Sequence, residues 1–108
     1  MKIISSQHYI NAEIINEKVD QLNAEGATKV IIPCYYVGEI DGEEYAIQAD
    51  GHHTLAAARE LGLNIEFEVE EDPEGLEGED LLDARYNDCD WYDVEESNPA
   101  HGELSFIW

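Results

Sequence analysis

The sequence predicts a single α/β domain of the α+β kind, a mixed β-sheet packed by two or three helices. Three observations predict it. Apolar residues recur at helical spacing in two stretches, one around Ile15 and one around Leu55. Short runs rich in β-branched and aromatic residues lie between and after them, punctuated by Asp-Gly pairs. A chain of 108 residues has room for one hydrophobic core and no more.

The first element is a helix over about Ala12 to Glu25. Asn11 is its N-cap, and Glu13 favours the positive end of the helix dipole. Ile15, Val19 and Leu22 give one apolar face, with Ile14 beside it. Gly26 ends the helix.

A strand follows over Lys29 to Val37, reading VIIPCYYV after the lysine. Pro33 has no N–H to give a neighbouring strand, so this strand is expected at an edge or with a bulge there. Asp41-Gly42 signals a hairpin. The returning strand, 44–49, places Tyr45, Ile47 and Ala49 on one face.

Asp50-Gly51 breaks that strand, and a second helix runs to about Leu61. Its Leu55, Ala58 and Leu61 stripe is expected to pack on one sheet made of 30–37, 44–49 and 64–69. In the third strand Ile65, Phe67 and Val69 face inward and Glu66, Glu68 and Glu70 outward. These elements define a core of about residues 12–70. Residues 71–108 read as an acidic extension, with a short helix at about Glu79 to Tyr86 and a closing strand bearing Leu104, Phe106 and Trp108.

Charge narrows the function. Asp and Glu number 26 against 5 Lys and Arg, a formal net charge of −21. Direct binding to nucleic acid is excluded on this reading, because phosphates are held by Lys and Arg that displace counterions. Anionic membrane surfaces are disfavoured likewise. No apolar run approaches the ~20 residues that a membrane span requires. The N-terminus lacks the charged-then-apolar design of a signal peptide, so a cytoplasmic protein is expected. Cys34 and Cys89 have no metal-binding spacing and read as two reduced thiols.

The stretch QADGHHTLAAARELG carries the chemistry. A glycine between strand and helix allows a tight turn and close approach by a ligand. The first turn of the helix offers free N–H groups and positive dipole, an anion site. His52 and His53 stand there as hydrogen-bond donors to phosphate, and Thr54 adds a hydroxyl. Asp50 stands one residue earlier, able to cap the helix or to hold a metal or a hydroxyl. The plainer reading is a turn whose histidines pack locally. No resident metal site is expected: adjacent helical histidines point ~100° apart and converge poorly on one ion.

This segment resembles the ParB/sulfiredoxin-like superfamily. In ParB N-terminal domains a helix, a strand near a proline, a hairpin and a strand ending in Gly-Glu-Arg-Arg precede an Ala-rich helix and Leu-Gly. Leu22 to Val69 follows that plan, about half of the chain, with Gly51-His52-His53-Thr54, Ala57 and Leu61-Gly62 at the motif. Sulfiredoxins carry Gly-Cys-His-Arg at this turn, and His53 matches their histidine. Free-serine kinases of the same fold carry Asp-Gly-His/Asn-His-Arg, which Asp50-Gly51-His52-His53 matches up to the last residue. Thr54 stands where these patterns have an arginine that meets phosphate, and position 52 lacks the sulfiredoxin cysteine.

The resemblance implies a small domain binding a nucleotide or other phosphorylated ligand at Asp50, Gly51, His52, His53 and Thr54. Magnesium would accompany a nucleotide, with residual phosphotransfer or hydrolysis as the attached activity. Glu39, Glu43 and Glu44 are candidate general bases, or simply a solvated hairpin. The other class is a non-enzymatic acidic protein that mimics nucleic acid or docks on a basic partner. Residues 70–96 hold 13 Asp or Glu and one Arg, with Tyr86, Trp91 and Tyr92 interspersed as candidate contacts. Small size and high negative charge would suit a phage or plasmid accessory protein.

Overall fold

The computed structural model describes residues 1–107. Its centre is a mixed five-stranded sheet of order β4-β2-β3-β1-β5. The strands are β1 (Lys2–Ser5), β2 (Lys29–Ile40), β3 (Glu43–Gln48), β4 (Asn64–Glu70) and β5 (Tyr92–Asp93). Three helices accompany them: α1 (Ala12–Ala24), α2 (His52–Leu61) and α3 (Gly78–Arg85). This is the expected α+β architecture, and residues 30–37, 44–49 and 64–69 do contribute to one sheet.

The two faces of the sheet bury different side chains. Ile3, Val30, Ile32, Cys34 and Ala46 pack with Leu55 and Ala58 of α2. Ile4, Val37, Tyr45 and Ile47 pack with Leu81, Leu82 and Trp91 on the α3 side. Because β3 is covered on both faces, Tyr45 to Gln48 are all buried, and the simple in-and-out alternation expected for it does not hold.

The β1 strand was not expected from the sequence. Four residues are too few to display a period, yet Ile3 and Ile4 anchor opposite faces of the sheet. β1 runs parallel to β3, with Ile4 opposite Ile47, and antiparallel to β5, with Ser5 opposite Tyr92.

β2 corrects the expectation about Pro33. It is an interior strand, antiparallel to β3 and parallel to β4. Its irregularity falls between Tyr36 and Gly38, not at the proline. Pro33 is tolerated because its place opposite β3 lies one residue beyond that strand's end. There its carbonyl accepts the Ala49 N–H at 2.9 Å, and only one reciprocal bond is forgone.

Asn11 caps α1 as expected, its Oδ1 accepting the N–H groups of Glu13 and Ile14 at 2.9 and 3.4 Å. Such a cap is worth about 1 kcal/mol. α1 packs against α2, and its Ile15, Val19 and Leu22 are half-buried. In α2 the buried stripe is Leu55, Ala57 and Ala58, with Leu61 half-buried at its edge.

The segment after Glu70 is built into the domain. Leu81, Leu82, Trp91, Tyr92 and Val94 all belong to the core. Arg59 of α2 donates to the carbonyls of Ser97 and Val94, stapling the chain that follows β5 to the helix. The closing strand is reduced to one bridge between Phe106 and Tyr92. Trp108, expected at its end, lies outside the described residues. Among the described residues no helix is long and apolar enough to cross a membrane.

Candidate functional site

The β3–α2 turn lies where the parallel strands β1 and β3 both end. Crevices at the carboxyl ends of parallel strands are the usual ligand positions in α/β sheets. Gly51 is the N-cap of α2 with φ of 78°, and no side chain caps the helix. The first intrahelical bond runs from Leu55 N–H to the Gly51 carbonyl at 2.8 Å. The amides of His52, His53 and Thr54 precede it and have no acceptor within the helix.

The glycine is required for an inward reason. A Cβ on Gly51 would stand 3.3 Å from Ile32 Cδ1, and φ is left-handed. Asp50 is exposed, and its Oδ1 accepts the Gly51 N–H at 2.7 Å, fixing the turn from outside.

The histidine rings are turned away from the role expected of them. His52 Nε2 lies 2.9 Å from Ser5 Oγ, tying α2 to the end of β1. Burial pushes the His52 imidazole down to about 4, partly opposed by the Asp50 carboxylate. It is therefore neutral at physiological pH. His53 Nε2 accepts the Asn11 N–H at 3.1 Å, so this nitrogen carries no proton. The ring joins α2 to the start of α1. Phosphate contacts at this turn thus fall to backbone amides and to Thr54, which is half-buried.

Five residues that the sequence reading did not select line a cavity beside this turn. Ser5, Ser6, Gln48, Arg85 and Asn87 surround about 70 Å³ of space together with His52. Arg85 Nη2 donates to Asp72 Oδ1 at 2.7 Å, and its guanidinium lies over the Tyr35 ring at 4.9 Å. That hydrogen bond to Arg85 holds the Asp72 carboxyl below the usual carboxylate range, against the opposing effect of its burial. The legible signals were Arg85, the one cation among the acids of 70–96, and Gln48, a polar residue within a strand.

A larger open depression, about 430 Å³, lies between the His8–Ile10 loop and Pro99 and Ala100. Its carboxylate, Asp88, already accepts the N–H groups of His8 and Tyr9 at 2.6 and 3.0 Å.

The expected partner contacts separate. Tyr86 is 54% exposed, whereas Trp91 and Tyr92 are 7% and 1% exposed. The Tyr92 hydroxyl donates to the Gln7 carbonyl at 2.6 Å, holding the loop after β1. These two aromatics are core residues, a correction to their reading as surface contacts: the acidic segment that contains them folds onto the sheet. Glu43 begins β3, so the hairpin bearing Glu39, Glu43 and Glu44 lies at the opposite end of that strand from Gln48. Burial raises the Cys34 thiol to about 12 and the Cys89 thiol to about 11, and neither forms a disulfide. No group of three or more metal-ligating side chains converges among the described residues.

No protein-family model matches this chain, no curated protein is detectably similar to it, and no solved structure matches it.

Proposed function

We propose that this chain is a small ParB-like ligand-binding domain that takes a phosphorylated ligand, such as a nucleotide, at the start of α2. The observation that carries the reading is the uncapped helix start at Gly51, with the amides of residues 52–54 outside the intrahelical ladder. It adjoins a cavity lined by Arg85 and His52 at the ends of β1 and β3. The motif Asp50-Gly51-His52-His53 supports it through its resemblance to nucleotide-handling members of that superfamily. Magnesium would arrive with the phosphates and offset the negative field of the domain, Asp50 being a carboxylate at that turn.

Calorimetric titration with magnesium and ATP tests this. Wild type binds modestly, because backbone amides replace the missing arginine. Thr54→Arg binds more tightly by about 1.5–3 kcal/mol, the scale of a hydrogen bond to a charged group. Binding by neither protein would sink the reading.

A second reading, docking on a basic protein, is favoured by one groove. Asp41, Glu79 and Asp83 rim a space of about 360 Å³ whose apolar lining is Ile40, Leu82 and Trp91. An arginine or lysine side chain matches such a groove, its stem on the apolar floor and its charge at the rim. Ion pairs among the described residues engage only Glu66 and Asp72, so this rim is free to attract a cation.

A further inference from the structure

The cavity beside the α2 turn contains two buried polar atoms without partners. Gln48 is 4% exposed, and its Oε1 accepts no hydrogen bond. Its Nε2 donates to the Asp50 carbonyl at 3.1 Å, which fixes the amide orientation. Arg85 Nε is likewise buried and donates to nothing, while Nη2 of the same guanidinium is held by Asp72. The two atoms do not satisfy each other, yet both residues line the same cavity of about 70 Å³. A buried polar group left unpaired costs about 1–3 kcal/mol, so two facing one cavity mark a place for a partner.

We infer that this cavity is a subsite for a small uncharged group that carries a hydrogen-bond donor and acceptor side by side, a carboxamide or urea-type edge. The donor meets Gln48 Oε1 and the acceptor meets Arg85 Nε–H. Charge chooses among the alternatives. The guanidinium is already neutralised by Asp72, so an oxyanion finds no free cation here and meets an acceptor at Gln48. A cation meets the guanidinium itself. Volume agrees: water occupies about 30 Å³ in the liquid, so the space suits about two waters or one group the size of acetamide. His52 is shared with the α2 turn, so a ligand that reaches both would carry phosphate at one end and the amide edge at the other. The inference extends the ligand-site reading to a second part of the ligand. Acetamide lacks phosphate, so it tests the subsite apart from nucleotide binding.

Nitrogen-15 spectra of the whole protein, recorded with acetamide, with acetate and with inorganic phosphate over one concentration range, decide it. Acetamide shifts the Arg85 Nε–H and the Gln48 side-chain amide saturably, and the two anions leave them in place. Gln48→Met keeps the side-chain shape, removes the acceptor and weakens the acetamide response roughly tenfold. Should that variant fold poorly, Arg85→Lys serves instead, keeping a cation for Asp72 while deleting the second donor. Equal shifts from acetate or phosphate would make the cavity an anion site and overturn the inference. Absence of any acetamide response would leave the cavity to water and overturn it equally.

Discussion

Ser5 Oγ and His52 Nε2 stand 2.9 Å apart across 47 residues of sequence, joining the last residue of β1 to the first of α2. The bond buries an imidazole at the mouth of the candidate site and fixes the direction in which the helix begins. It also makes His52 a pH-sensitive part of the fold.

His52 falls from 6.5 to about 4 on folding, so between those values the unfolded chain binds more protons than the folded one. The stability it contributes is complete above the higher value and is lost as pH falls toward the lower, by at most about 3 kcal/mol. Protonation of the many carboxylates acts on top of this. Urea unfolding of wild type and His52→Gln across that range isolates the histidine: the gap between the two proteins narrows as pH falls. A gap independent of pH would show that His52 is not buried neutral.

Gly51→Ala destabilises the fold by about 1–3 kcal/mol, from left-handed strain and the crowding of Ile32. Thermal melts check this. An unchanged melting temperature would mean that the turn does not have the described conformation.

Ile4→Ala costs about 2–5 kcal/mol, since Ile4 is 0% exposed and packs on the α3 side of the sheet. A loss below about 1 kcal/mol in denaturant unfolding, the scale of an exposed substitution, would remove β1 from the sheet.

Duplex DNA is not bound at physiological salt. Of the five basic residues, Arg59 and Arg85 are committed to internal hydrogen bonds and Lys29 to Glu66, leaving too little charge to displace counterions. Fluorescence anisotropy with labelled duplex checks it, and salt-dependent micromolar binding would contradict it.

The elements with a visible period were legible in the sequence. Ile15, Val19 and Leu22 marked α1, Leu55 and Ala58 marked α2, and Ile65 and Phe67 marked β4. β1 was hidden because strand recognition rests on repetition, and Ile3-Ile4 offers a single step. Pro33 misled because a proline's cost depends on where the neighbouring strand ends, which local sequence does not encode. The turn at Gly51 was visible as a motif, whereas its cavity was not: Ser5, Gln48 and Arg85 are brought together by sheet order and by the folding back of the acidic segment. Trp91 and Tyr92 looked like surface aromatics because their acidic neighbours do face water, and alternation over so short a stretch does not reveal which residues turn inward.

The central claim is that the start of α2 receives a phosphorylated ligand, and amide shifts on titration of nitrogen-15-labelled protein with ATP and magnesium test it most directly. The account predicts saturable shifts concentrated at residues 50–55, with the acidic groove of Asp41, Glu79 and Asp83 undisturbed. Shifts absent from 50–55 at saturating nucleotide would contradict it.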